Sequence, residues 1–585
     1  MTIYEKVPNA KEISRRMENC RREGGEILDL SSLYMTELPA EIESLENLGE
    51  LNLSDNQLQS LPDWVGNMRS LKKLNLWGNN IDSLPGSFAG LKRLVFLDIG
   101  ENLLKEMPAC LKDFTSLKHL NLESMYTGAA NMEDSNTTLP EWIGDLSALR
   151  FLNLRHCRLE SLPGSMRDLS SLRVLYLGAN WLATLPEWLG GFAQLEELDI
   201  SKNWLHTIPE FIGNLKNLRS LDLGYSRQWA YEARGNISIR DGEVYKLKRL
   251  PDFLDTLPRL VHLDLGNTGL KSLPGPLRIL RLESLKLHYN ELTKIPEWIG
   301  SMTSLLELDL SMNEKLKSLP DSLNRLCNLE ELNISRTPIG KIPKCIRELK
   351  KLKKLSLGSP DNWPRLYFFG LKIYYKSPVI PQWIEKLSNL EYLYLGYQAT
   401  EIPESIGALL KLKRLDINYS KIKTLPESMS KLSALKEIFI EGCDCLEKLP
   451  ESFTSLSSLR ELSITYSGIR SLPGSFGNLS ALEKIDLSFT DIETLPESFG
   501  NLRNLKWFKT SFRNYACLPV SFGNLASLEE LYLTGDKITF PKSFGGLQSL
   551  RVFHLERYPK PVNVIQKDAL FSSLNLLGVC HPLKS

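Results

Sequence analysis

No run of about 20 apolar residues occurs anywhere in the chain, so no stretch is long enough to cross a bilayer as a helix. Charge imbalance is also missing. The formal net charge is +1 over 585 residues, which removes any global reason to expect nucleic acid or an anionic membrane surface as partner. The nine cysteines (20, 110, 157, 327, 345, 443, 445, 517 and 580) are scattered, with no paired clusters at the two ends. That argues against a disulfide-capped extracellular chain, and several of them are read as small buried thiols. The opening segment, MTIYEKVPNAKEISRRMENCRREGGE, is charged and lacks the apolar centre of a secretory signal. The expected compartment is the cytoplasm, either the cell's own or that of a host cell into which the protein is delivered.

The motifs of common chemistry are absent too. There is no G-x-x-x-x-G-K-[ST], no G-x-G-x-x-G after a strand, no nucleophile elbow and no H-E-x-x-H. Cys443 and Cys445 form a single C-x-C with no second pair to complete a metal site. The seven histidines share no carboxylate pattern. The expectation is no enzyme activity, no metal and no cofactor.

What the chain has in abundance is repetition. An apolar residue followed by proline recurs in register 21 times, from Leu38-Pro39 to Phe540-Pro541, at steps of about 23 residues. Within LGELNLSDNQL, Leu51 and Leu53 alternate with Asn52, the period of a strand with one face turned inward. Successive strands stack in parallel about 4.8 Å apart. Asn56, Asn79, Asn102, Asn180, Asn203, Asn290 and Asn313 fall where the backbone turns inward and buried main-chain groups need partners. Cys157, Thr268, Thr337, Ser420, Cys443, Ser467 and Thr490 take that slot elsewhere. Proline fixes φ where the chain turns onto the opposite side. Trp64, Trp142, Trp188, Trp298 and Trp383 follow there, as packing between repeats.

This L-x-x-L-x-L-x-x-N period resembles the leucine-rich repeat over nearly the whole chain. The resemblance implies an α/β solenoid: a horseshoe with a parallel concave sheet of about 22 strands and short helical or irregular convex returns. The 23-residue L-P-x-x-I/F-G-x-L form resembles plant intracellular Ras-group proteins, an animal Ras-pathway scaffold and injected bacterial effectors. Glu441 to Leu459 is similar to the repeat region of plant nucleotide-binding immune receptors. The family implies protein recognition on the concave face and its edge, without catalysis.

The expected organisation is a capping helix segment at 1–26, with Ile13, Met17 and Cys20 on one face, then a repeat array at 27–558 and a C-terminal cap at 559–585. Three insertions interrupt the array, at 125–138, 225–248 and 359–379, all in one phase and therefore on one lateral edge. Their aromatics are candidate partner contacts: Trp229 and Tyr231 in the second, and Trp363, Tyr367, Phe368, Tyr374 and Tyr375 in the third. A row two residues past the last strand leucine adds Tyr397, Tyr419, Tyr466, Phe489 and Phe512. Tyr394 and Phe439 join it from exposed mid-strand positions. From Arg336 to Lys376 there are eleven basic and two acidic residues, and Lys354 falls on an outward strand position. That stretch suits a partner with an acidic surface. The first half presents mainly polar outward residues, with Trp77 and Tyr176 as exceptions.

The expected function is a non-enzymatic scaffold that binds a protein through the concave face and the insertion-bearing edge. Two alternatives stay open: a translocated effector that masks a host protein, and an immune-receptor-like recognition module.

Overall fold

Each repeat begins with an apolar residue flanked by polar ones, and that triplet is what the strand uses. Glu50–Asn52 buries Leu51 and leaves its neighbours half-exposed. The next strand, Lys73–Asn75, pairs with it in parallel, leucine opposite leucine. The structure, a computed structural model, describes residues 9–125, 138–205, 207–224, 252–358, 380–396, 399–512, 516–535, 538–557 and 560–561. The bulk of all three insertions, with Trp229, Tyr231, Trp363, Tyr367, Phe368, Tyr374 and Tyr375, lies outside the described residues. So do Tyr397 and 562–585, most of the expected C-terminal cap.

Two compact units divide the chain. The first comprises 1–270 with 274–286, the second 271–273 with 287–585. In the first, eleven strands from Ile27–Asp29 to Ser284–Lys286 pair in parallel without a slip of register. In the second, eleven more run from Glu307–Asp309 to Val552–Arg557, followed by the antiparallel Lys560–Pro561. Among the described residues these long parallel ladders hold the number of strands that the resemblance implies, and Ala516–Cys517 pairs in parallel with Ile538–Thr539 as a separate short ladder.

Buried asparagines hold the inward turn. Asn79 Oδ1 accepts the Leu58 N–H at 3.1 Å, while Nδ2 donates to the carbonyls of Leu53 and Leu76 at 3.0 and 2.9 Å. Asn180 does more, accepting from Cys157 and Leu159 and donating to Leu154 and Leu177. The substitutes reach less. Thr490 Oγ1 donates to Leu487 at 2.9 Å, and Cys443 Sγ to Ile417 at 2.8 Å. One residue before this slot the backbone is left-handed, as at Asp55, Lys202 and Phe489 (φ 56, 52 and 58), with glycine at 78 and 442.

On the return, proline precedes a short 3₁₀ turn; Pro85, φ −66, leads into Gly86–Gly90 and its buried Phe88. In the second unit these buried residues become a phenylalanine spine. Phe476, Phe499, Phe522 and Phe544 stack at 5.9, 6.1 and 6.1 Å, nearly parallel. The following glycine lets successive turns approach, since a Cβ on Gly500 would stand 2.1 Å from the Ser521 carbonyl oxygen. The tryptophans at 64, 142, 188, 298 and 383 lie half-buried on this side.

The helix α1, Ala10–Arg22, precedes the first strand. Asn9 Oδ1 accepts the Glu12 N–H at its start, and Arg21 and Arg22 occupy its last turn. Met17 and Cys20 are buried and Ile13 half-buried. Arg16 Nη1 donates to the carbonyls of Asp29 and Ser31 at 3.3 Å. Cys157, Cys345 and Cys443 are buried as expected of small thiols, but Cys327, Cys445 and Cys517 are exposed. Cys327 and Cys445 sit in turns, and Cys517 ends the short strand Ala516–Cys517 that pairs with Ile538–Thr539.

Candidate interaction face

Because strand side chains alternate, two positions per strand face away from the leucines: the residue before the buried leucine and the residue after it. In the second unit the later position reads, strand to strand in register, Tyr394, Asp416, Phe439, Ser463, Asp486, Lys509. The earlier one reads Tyr392, Arg414, Glu437, Glu461, Lys484, Trp507.

Arg414 organises one end. Its guanidinium carbon lies 4.1 Å from the Phe439 ring centroid and 5.6 Å from that of Tyr394. It pairs with Glu437 at 3.2 Å and approaches Asp416 at 3.5 Å. Asp416 is 1% exposed, and its Oδ1 has no hydrogen-bond partner among the described residues. Burial pushes its carboxyl up to about 7, against the opposing pull of Arg414. Tyr394, expected to be exposed, is buried at 8% because the arginine and the neighbouring strand cover it.

The aromatic row past the strands is shorter than its sequence suggests. The Tyr419 hydroxyl donates to Glu441 at 3.0 Å, and its ring covers Gly442, where a Cβ would stand 2.4 Å from ring carbon Cδ1. Tyr466 and Phe489 stack at 4.4 Å and are 52% and 43% exposed. Phe512 is 5% exposed, which corrects its assignment to this row. Its backbone stays out of the left-handed region that Tyr419, Tyr466 and Phe489 occupy (φ 55, 49 and 58), so the ring does not turn outward with theirs.

Between Phe439 and the Tyr466–Phe489 pair the structure has a cavity of about 220 Å³. Glu441 and Asp486 line it, together with Asn418, Ser463, Thr465, Ser488 and Lys509.

The basic residues near Lys354 are mostly committed. Lys353 pairs with Glu330 at 2.6 Å and Lys354 with Glu331 at 3.3 Å, while Lys344, Arg347 and Glu348 sit in a return turn. The remaining basic residues of that stretch beyond 358 fall outside the described residues.

The first unit, expected to present mainly polar outward residues apart from Trp77 and Tyr176, holds an aromatic stack that Tyr176 joins from its mid-strand position. Phe96, His119 and Phe151 lie face to face at 4.2 and 4.0 Å, with Tyr176 edge-on at 5.5 Å. Burial holds His119 down at about 4, so it stacks as a neutral ring. Arg155 lies 3.8 Å over Tyr176 and pairs with Asp199. Asp222 is pushed up to about 7, mainly by burial and then by Asp199 and Asp264 on the flanking strands. The residue before each buried mid-strand apolar residue, read as a column, carries the signal for Phe96, His119 and Phe151 and for Trp507.

No group of three or more His, Cys, Asp or Glu able to hold a metal occurs among the described residues. No helix among them is long and apolar enough to cross a membrane.

Against known proteins, a family model described as a leucine-rich repeat region matches residues 28–135, 129–237, 381–467 and 451–584, and a second, described as leucine rich repeat, matches 280–339. TMV resistance protein N of Nicotiana glutinosa is 29% identical over 208 residues, which is 34% of this chain and 17% of that protein. Disease resistance protein RPP4 of Arabidopsis thaliana is 34% identical over 203 residues, 34% of this chain and 16% of that one. The chain therefore aligns with about a sixth of the length of these relatives. Among solved structures, the ectodomain of the receptor kinase GASSHO1/SCHENGEN3 from Arabidopsis thaliana is 24% identical, with a TM-score of 0.51. That match covers 91% of this chain and 66% of the other, and it speaks for the fold alone.

Proposed function

The chain belongs to the leucine-rich repeat family, and from that premise we propose that it is a non-enzymatic protein-recognition module whose binding surface centres on the strand face of the second unit. One observation carries the reading: the exposed Tyr466–Phe489 stack beside a cavity of about 220 Å³. Large rings held rigidly at a surface supply contact area at low entropic cost, the usual character of interface anchors. The aromatic insertion at 359–379 belongs to the same reading as a second contact element.

An acidic partner is the weaker form of this proposal. Lys353 and Lys354, which would attract it, are already paired, and the cavity itself is lined by Glu441 and Asp486. Of the two alternatives, the immune-receptor-like module draws support from the resistance proteins that share the repeat. Cytoplasmic location is part of the proposal, as is the absence of catalysis.

The test is affinity capture from plant and bacterial lysates with wild type and a Phe439→Ala/Tyr466→Ala/Phe489→Ala variant. Selective loss of one protein, at an unchanged unfolding midpoint, supports the reading. Equal recovery by both versions sinks it, and nucleotide turnover by the purified protein would reopen catalysis.

A further inference from the structure

Twice on its strand face the chain builds an aromatic ring next to carboxylates and fills the place with its own arginine. In the first unit Arg155 lies over Tyr176 and pairs with Asp199. In the second Arg414 lies over Phe439 and pairs with Glu437. The cavity beside Tyr466 and Phe489 repeats the chemistry, with Glu441 and Asp486 as carboxylates, but no arginine among the described residues lines it. Resting on the recognition reading above, we propose that this cavity receives an arginine side chain of a peptide or protein partner.

The lining fits a guanidinium better than other groups. Guanidinium carries five N–H donors and no acceptor, and it stacks on aromatic faces. The cavity is lined by three aromatic rings, two carboxylates, hydroxyl oxygens and the Asn418 amide, whose Oδ1 already accepts the Glu441 N–H at 2.9 Å. Ser488 is 2% exposed, and its Oγ has no hydrogen-bond partner among the described residues. Its backbone N–H is already given to Asp486 Oδ1 at 2.9 Å. Size agrees as well. About 220 Å³ is below the roughly 300–1,000 Å³ typical of sites for whole small molecules. It is several times the share of one water, about 30 Å³. One long side chain is the matching occupant.

The titratable groups facing the cavity are Glu441, Asp486, Lys509 and the Tyr466 hydroxyl. Lys509 makes no ion pair among the described residues. Its ammonium opposes an incoming cation and leaves the site with one net negative charge. A lysine from a partner would find the charge but not the planar stacking.

The experiment uses random seven-residue peptides displayed on phage, selected on the full chain and counter-selected on the Glu441→Gln/Asp486→Asn variant. Both replacements keep an oxygen to accept the bonds from Tyr419 and Ser488. Expected is a consensus with one fixed arginine, whose replacement by citrulline weakens the synthetic peptide on the order of tenfold or more. Lys509→Ala should strengthen the same peptide several-fold, a sign that structural damage would not produce. Peptides that bind without arginine, or arginine peptides indifferent to all three substitutions, overturn the cavity assignment and leave the recognition reading standing. If no sequence is enriched over the variant, and Phe439→Ala/Tyr466→Ala/Phe489→Ala captures the same lysate proteins as wild type, both fall.

Discussion

Tyr466 and Phe489 stack ring to ring at 4.4 Å, 13° from parallel, and both residues hold left-handed backbone, φ 49 and 58. Large side chains in that region cost roughly 1–3 kcal/mol relative to conformations they prefer. Phe489→Gly removes the strain together with the ring. Its unfolding free energy is expected to stay within about 1 kcal/mol of wild type, while capture of the partner is lost. Chemical denaturation read beside a binding assay separates the two effects, and a large loss of stability would show that the stack serves the fold.

Asp416 makes stability depend on pH. Unfolded, an aspartate titrates near about 3.9; folded, burial raises Asp416 to about 7. Between those values the folded chain holds a proton that the unfolded chain has released. The stability contribution is therefore fully present below about pH 4 and is lost as pH rises through about 7. A tenfold difference in proton affinity is worth about 1.4 kcal/mol, which caps the effect near about 4 kcal/mol. Asp416→Asn stays neutral throughout, so its melting temperature should fall less than that of wild type between pH 5 and pH 8. Parallel curves would refute the assignment.

Close approach of the return turns predicts a contrast between two glycines. A Cβ on Gly500 would stand 2.1 Å from the Ser521 carbonyl oxygen, whereas one on Gly474 meets nothing within 4 Å. Gly500→Ala should destabilise by about 1–3 kcal/mol, the usual range for overpacking. Gly474→Ala should be neutral or slightly stabilising. Urea titration of both variants decides it.

Asn180 satisfies two buried N–H groups and two buried carbonyls. Asn180→Ala orphans them at about 1–3 kcal/mol for each group left unpaired. A total loss below about 1 kcal/mol in a denaturant titration would mean that water replaces the amide.

We propose α1 as the cap of the first strand. Met17→Asp puts a charge against that strand. The expected outcome is a drop of several degrees in the unfolding midpoint of the first unit, followed by increased exposure of apolar surface to a hydrophobic dye.

The repeat register made the fold legible. Leucines at fixed offsets place every strand, and the asparagine slot is visible wherever Asn recurs. The face was less legible, because the residue between the strand leucines carries only half of it. Phe96, Phe151, Arg414 and Trp507 all stand on the other half, just before the buried mid-strand apolar residue. Burial of Tyr394 depends on where Arg414 lies, and that of Phe512 on a backbone that does not take the left-handed turn of Tyr466 and Phe489. Neither can be read from period alone. The cavity is set by side chains on four strands whose neighbours are some 23 residues apart.

The phenylalanine spine has a consequence for how such a chain changes length. Phe476, Phe499, Phe522 and Phe544 meet at almost equal spacing, and Gly477, Gly500 and Gly523 each admit a serine carbonyl of the following turn. Each joint is thus chemically the same as the next. Unequal crossover within this stretch can delete or duplicate one whole unit and reseal on closely similar surfaces. The hidden side would register nothing, while the displayed residues would acquire new neighbours. On the recognition reading proposed above, the displayed face can diversify by recombination, with little selection needed to repair the framework.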